Sequence, residues 1–414
     1  MTAKSQRVAD KQRTGDRPAS LWNNRDFVML WLIGLVTFLL RWLEILVYGV
    51  YAYSETGSAL IVAMLTMLRV LPLGLFGAVF GVIAERIVRR HALRISIAGL
   101  LLSAIVLCLM SIGGYLEVWH LAVASFVNGV AWSADNSVRR AMMGDVVGAT
   151  RMDSAMSLEV GTSNATRLAG PSIGGLLLTY TGIQGIFLLA LVAYAIGLWA
   201  ALQVRAHNSP ATGERLSLGA GLMGAWTVLR ADARFTGLLW LTVIFNLFGW
   251  PVLSLIPVIA HDRLGLSADG IGYLASMDGL GALLFAFVLL RISRPERQGK
   301  IYVAGVLVFL LMLPLFALAT QVWVASLALL LVGCGQAGFA VMQATITYAV
   351  APLDRRSQAM GIMTMCIGVG PLGFVFVGLL AETVGAAATA LTCSITGVLA
   401  ITFSWPWWSA TWRG

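Results

Sequence analysis

The sequence predicts an all-α polytopic membrane protein, with twelve transmembrane helices in two pseudo-symmetric six-helix bundles. Three observations predict it. Of the 414 residues, 59% are hydrophobic and only 11% are charged, against about 25% charged in an ordinary soluble domain. The apolar residues fall in unbroken runs of the roughly 20 residues that a helix needs to cross a bilayer, far longer than the ~10-residue alternating strands of a membrane barrel. A single long polar connection then divides the runs six and six. With 28 Lys and Arg and 19 Asp and Glu, there is too little charge for the polar shell of a cytosolic enzyme, a nucleic-acid binder or a secreted disulfide scaffold.

A polar head, residues 1–26, leads into the first run, which lacks a small-residue cleavage site and reads as a retained span. The spans of the first bundle, 27–205, are 27–50, 59–84, 92–113, 118–140, 155–180 and 184–204. Residues 206–234 form the linker, with the polar turn His207-Asn208-Ser209-Pro210 and a weakly amphipathic stretch, Leu216 to Leu229, suited to a membrane surface. The second bundle, 235–408, holds spans at 236–260, 270–291, 300–320, 322–350, 357–381 and 386–408, and a tail, 409–414, follows. A faint repeat relates the bundles. Gly129 followed by Arg151-Met152-Asp153-Ser154-Ala155-Met156 matches Gly333 followed by Arg355-Arg356-Ser357-Gln358-Ala359-Met360, and each segment continues to a Gly-Pro, Gly170-Pro171 and Gly370-Pro371. A duplicated six-span unit is a common transporter plan, with the substrate site between the halves near mid-membrane.

Charge placement sets the orientation. Of the 28 Lys and Arg, 24 fall in the head, the linker, the tail, and the even-numbered loops with the span ends that flank them, one (Arg263) falls on the opposite side, and Arg41, Arg69 and Arg167 lie deep within spans. By the positive-inside rule both termini are expected on the cytoplasmic side of a bacterial-type inner membrane. The net charge of +9 then reflects topology and contact with anionic lipid, and no nucleic-acid partner is expected. Cys108, Cys334, Cys366 and Cys393 lie within spans without metal-ligand spacing, and His91, His120, His207 and His261 are isolated, so no metal site is expected. Zincin, nucleophile-elbow and phosphate-loop motifs are all missing, which argues against an enzyme or a pump with its own ATPase. No cofactor is expected, the energy coming from a proton gradient.

After the second span comes Gly81-Val82-Ile83-Ala84-Glu85-Arg86-Ile87-Val88-Arg89-Arg90. It resembles the loop signature of the major facilitator superfamily, with Glu85 in place of the more frequent Asp and without the Gly that usually follows the acidic-Arg pair. The resemblance implies a cytoplasmic latch built from Gly81, Glu85, Arg86, Arg89 and Arg90 that stabilises the outward-facing state. The fifth span, with Gly161, Gly170, Pro171, Gly174 and Gly175, is similar to the antiporter signature found mainly in exporters of that superfamily, with Thr166 replacing one Gly. Such glycines permit close contact with a helix of the other half, and Pro171 bends the span. Arg69-Val70-Leu71-Pro72, Arg167-Leu168-Ala169-Gly170-Pro171 and Leu255-Ile256-Pro257 resemble a drug:proton antiporter branch that includes enterobactin-exporter-like proteins. A monomer is the expectation that this family carries.

Ionisable groups inside spans are costly, on the order of 3 kcal/mol each, and are functional candidates. Glu44 is the preferred proton-coupling carboxylate, with Glu159 and Asp278 as further candidates. Arg41 and Glu44, three apart on one helix, share a face, so two roles are open for Glu44: titration during transport, or a static pair with Arg41 that fixes packing. Asp135 is read, by the same resemblance, as a latch partner of Arg89 or Arg90 in preference to a substrate contact. Glu159 is open between proton coupling and pairing with Arg151 or Arg140. Arg41, Arg69 and Arg167 suit an anionic substrate if they share a cavity; the alternative is that Arg69 and Arg167 satisfy backbone carbonyls or nearby carboxylates. Asn246, Trp250, Gln336, Gln343 and Tyr348 are the amphipathic candidates of the second half. The expected function is a proton-coupled exporter of an amphipathic small molecule, drug- or siderophore-like and in one reading anionic, working among membrane lipids. A lipid or lysolipid translocase and an organic-anion uptake symporter are the alternatives, while a receptor or scaffold lacks its extramembrane domain.

Overall fold

The computed structural model describes residues 21–86, 88–148, 151–205, 233–350 and 356–413. The head up to residue 20, the linker stretch Leu216 to Leu229 and Arg355 of the repeat lie outside the described residues, as do the side chains of Gly81, Glu85 and Arg86. Among the described residues the structure is helical, without strands. Nine segments among the described residues are long and apolar enough to cross a membrane, Met152–Gln203 counting as one.

Helix α1, Arg25–Thr56, starts at Asn24, whose side chain accepts the Phe27 amide, and stops at Gly57, whose left-handed conformation (φ 63°) turns the chain into α2, Ala59–Arg86. Helix α3 spans Arg89–Ile112. Helix α4 runs from Val118 to Ala134, widens through a π turn at Asp135–Arg139 and continues over Arg140–Val147. The helical stretch Met152–Gln203 has 52 residues, which as one straight helix at 1.5 Å per residue would be about 78 Å long, over twice the hydrocarbon thickness. Gly182, at φ 66° and ψ −172°, interrupts it. The segments on either side, α5 (152–181) and α6 (183–203), return to the same face: Arg25 Nη2 donates to Gln203 Oε1 and Arg205 N to Asp26 Oδ1. This is the terminal face, and the opposite one is the distal face.

Helix α7, Ala233–Leu264, carries a π turn at Phe245–Gly249 and a 3-10 stretch at Trp250–Leu255 that accommodates Pro251. Next come α8 (Ala268–Ile292), α9 (Gln298–Leu318) and α10 (Val322–Val350). Helix α11 has two arms, Arg356–Ile367 and Gly370–Val384, broken ahead of Pro371. The last apolar helix, α12, covers Ala386–Phe403, shorter than the 386–408 expected from hydropathy. A turn at Ser404 separates it from α13, Trp405–Arg413, with Pro406 in the first turn, where a missing N–H costs nothing. Helix α13 lies against the start of α7, where Thr411 Oγ1 donates to the Arg234 carbonyl.

Two seams join α1–α6 to α7–α12. Along α5 and α8 the contacts run Arg167–Asp278, Ser172–Ser276, Gly175–Gly272 and Thr179–Asp269, so the helices are antiparallel. Along α2 and α11 they run Ser58–Glu382, Leu60–Gly378 and Gly74–Gly368, again antiparallel. The two Gly-Pro pairs of the repeat lie on these seam helices, one on α5 and one on α11. A third contact, Tyr53 Oη donating to Asp262 Oδ2 at 2.7 Å, ties α1 to α7 at the distal face.

Candidate functional site

Between the two helix groups lies a cavity of about 90 Å³. Its first wall includes Arg41 and Trp42 of α1, Thr66 and Arg69 of α2, Trp132 of α4 and Arg167 of α5. Its second includes Trp250 and Ser254 of α7, Asp278 of α8 and Phe374 of α11. The three span arginines expected from the sequence thus share one cavity.

They are not equivalent. Arg69, 2% exposed, donates from Nη2 to Glu44 Oε2 at 2.7 Å and from Nη1 to the Arg41 carbonyl at 3.0 Å. The Tyr194 hydroxyl completes this group, 3.1 Å from Glu44 Oε1 and 3.2 Å from Asn128 Oδ1. The static Arg41–Glu44 pair suggested by their spacing does not form. Glu44 faces α2, and the cation that α2 supplies is Arg69. Arg167 spans the groups, donating from Nε to Asp278 Oδ2 at 3.0 Å and from Nη2 to Asp278 Oδ2 and Gln336 Oε1, over the Trp42 ring. Arg41 has no ion pair among the described residues; its guanidinium lies over Trp132, 4.4 Å from the ring centroid, and 5.2 Å from that of Phe38.

Arg41, Arg69 and Trp132 also border a second, much smaller pocket, of about 20 Å³, inside the α1–α6 group; Asn128, Asp135 and Tyr194 line it too. Beside that pocket Arg139, fully buried, forks between two carboxylates. It reaches Glu159 Oε1 at 2.5 Å and Oε2 at 3.0 Å, and Asp135 through Nε and through Nη2 at 3.0 Å. Arg140 adds a longer contact to Glu159, 3.6 Å. Asp135 therefore holds Arg139 and not Arg89 or Arg90, because Arg139 follows it by four residues on the same helix, within side-chain reach. Arg89 instead pairs with Asp145 at 2.7 Å nearer the surface.

The second-half candidates separate. Trp250 lines the cavity and Gln336 meets Arg167. Asn246 and Gln343 sit deeper, in a network centred on Thr242: Asn246 Nδ2 donates to its carbonyl and Gln343 Nε2 to its hydroxyl, both at 2.9 Å. Tyr348, half exposed near the end of α10, does not line the cavity. In the antiporter-type stretch, Gly170 and Gly174 pack on α1, Gly175 meets α8 and Gly161 faces open space, while Pro171 borders the cavity. Sequence reasoning missed Trp42, Trp132, Phe374, Tyr194 and Arg139. Only Arg139 had a readable signal, its four-residue offset from Asp135.

The description of the Major Facilitator Superfamily matches residues 30–372 and, in a second match, 255–411. Multidrug efflux pump Tap of Mycolicibacterium fortuitum is 26% identical over 362 residues, 83% of this chain and 86% of that protein. Tetracycline resistance protein, class E, of Escherichia coli is 23% identical over 323 residues, 76% and 77% of the two chains. Among solved structures, a POT family transporter in complex with 5-aminolevulinic acid superposes with a TM-score of 0.75 at 14% identity, covering 94% of this chain and 97% of that one. A bacterial homolog of the human lysosomal transporter Spinster, inward-facing and unoccupied, gives 0.71 at 13% identity over 96% and 98%. These structures share the fold. With a family match along most of its length, a membrane-type helical fold and a cavity between two helix groups, the chain belongs to the Major Facilitator Superfamily and is a membrane transporter, not an enzyme.

Proposed function

We propose that this transporter exports an amphipathic small molecule in exchange for protons, by alternating access between two six-helix bundles of twelve spans, as a monomer with both termini cytoplasmic. The molecule is drug- or siderophore-like and anionic in the reading that gives Arg41 a ligand. The Arg167–Asp278 pair carries the proposal. It bridges α5 and α8 at the cavity wall, so movement of one bundle against the other must part a carboxylate from its arginine. Parting a buried pair leaves a costly charge, which a proton on the carboxylate removes. Glu44, held by Arg69 and bordered by Tyr194, is the second such carboxylate, and Glu159 the third. The efflux pumps among the relatives support the outward direction. No cofactor enters this cycle; the proton gradient supplies the energy.

The test is transport in proteoliposomes under an imposed pH gradient, with an amphipathic fluorescent dye as cargo. Accumulation driven by the gradient is expected, abolished by a protonophore and reduced at least about tenfold by Glu44→Gln. Accumulation indifferent to both treatments would sink the coupling.

A further inference from the structure

We infer that the cavity takes a bipolar ligand: an amphipathic molecule that carries both an anionic oxygen group and an ammonium group on an apolar body. This deepens the exporter reading and rests on it for the site. Three arginines line the cavity. Arg69 is engaged by Glu44, and Arg167 by Asp278 and Gln336. Arg41 is left, its guanidinium stacked on Trp132 at the boundary of both pockets with no carboxylate paired to it among the described residues. A guanidinium held in place by an aromatic face keeps its N–H fork for a carboxylate, sulfonate or phosphate oxygen.

The opposite wall offers the complementary acceptor. Asp278 is 6% exposed and lines the cavity; its Oδ2 takes both bonds from Arg167, while Oδ1 is buried with no hydrogen-bond partner. An orphaned buried carboxylate oxygen is costly, and a ligand N–H⁺ donor satisfies it. A simple anion would meet Arg41 but leave Asp278 Oδ1 unmet; a simple cation would meet Asp278 but face Arg41. Only a ligand with both groups serves both walls. Trp42, Trp132, Trp250 and Phe374 supply the surface for its apolar body.

Four matched fluorescent probes test this on the purified full chain: Nε-dansyl-lysine (bipolar), dansyl-aminocaproate (anionic), dansylcadaverine (cationic) and dansyl butylamide (neutral). Dansyl-lysine is expected to bind at least about tenfold tighter than either singly charged probe. Arg41→Gln should erase its advantage over dansylcadaverine and leave Arg41→Lys intermediate. Asp278→Asn should erase its advantage over dansyl-aminocaproate; because that variant strands Arg167, the paired Arg167→Gln/Asp278→Asn variant tests the same point without a stranded cation. Equal binding of a singly charged probe, or binding of none of the four, overturns the inference. The two readings fail separately. Dansyl-lysine preference without any gradient-driven movement of the probe defeats the exporter reading alone, and gradient-driven movement of dansylcadaverine with no bipolar preference defeats this one alone.

Discussion

At the scale of single residues, the chemistry depends on which carboxylate holds which arginine, and burial ranks the pairs. Arg139 is fully enclosed and serves both Asp135 and Glu159. Removing it strands two buried carboxylates, and Arg139→Ala should cost about 3–5 kcal/mol of stability. The surface pair Arg89–Asp145, with side chains 21% and 48% exposed, is screened by water, and Arg89→Ala should cost under about 1 kcal/mol. Unfolding of the two variants in detergent checks the contrast; similar losses would mean that the buried fork does not hold the bundle. The sequence brought Glu44, Asp135 and Glu159 forward as costly intramembrane charges, and all three are buried and paired with arginines. It did not supply partners. Arg41 and Glu44 share a helix face by count, yet Glu44 binds a cation 25 positions away, because α2 presents Arg69 to that face.

Among elements, the seam of α5 and α8 decides what moves. Gly175 and Gly272 bring the backbones together where a Cβ on either would collide with the other helix. One turn away, the hydroxyls of Ser172 and Ser276 are 2.7 Å apart. Cysteines at both sites are therefore close enough to be joined. The double variant Ser172→Cys/Ser276→Cys should crosslink under mild oxidation, lose transport and regain it on reduction. Crosslinked protein transporting at the uncrosslinked rate would show that this seam stays shut through the cycle. The Gly-Pro stretch on α5 was legible as a packing motif, and its partner was not. Of its glycines, Gly175 meets the other group, whereas Gly170 and Gly174 serve α1. A one-dimensional motif records small side chains but not the direction in which each faces.

For the whole molecule, the lopsided charge predicts orientation. Ser267 and Asp262 lie at the distal face, whereas Ser293, Arg294 and Arg297 lie at the opposite ends of their helices. A cysteine at Ser267 should react with an impermeant maleimide on intact cells, and one at Ser293 only after permeabilisation; the reverse pattern would invert the topology. The sequence by itself determined the class, the order of the apolar runs and the family resemblance, because run length against bilayer thickness and loop charge are quantities written along one dimension. Even so, hydropathy carried the last span through residue 408, whereas the helix ends at Phe403 and α13 folds back on α7. Only the tertiary structure decided which arginines are engaged by carboxylates and which one has no ion pair among the described residues. Arg41, Arg69 and Arg167 are alike as buried cations in a sequence. They differ because Glu44 and Asp278 each reach one of them, and the helix carrying Arg41 turns it toward Trp132. Pairing at 3 Å depends on helix rotation and crossing, which no spacing along the chain encodes.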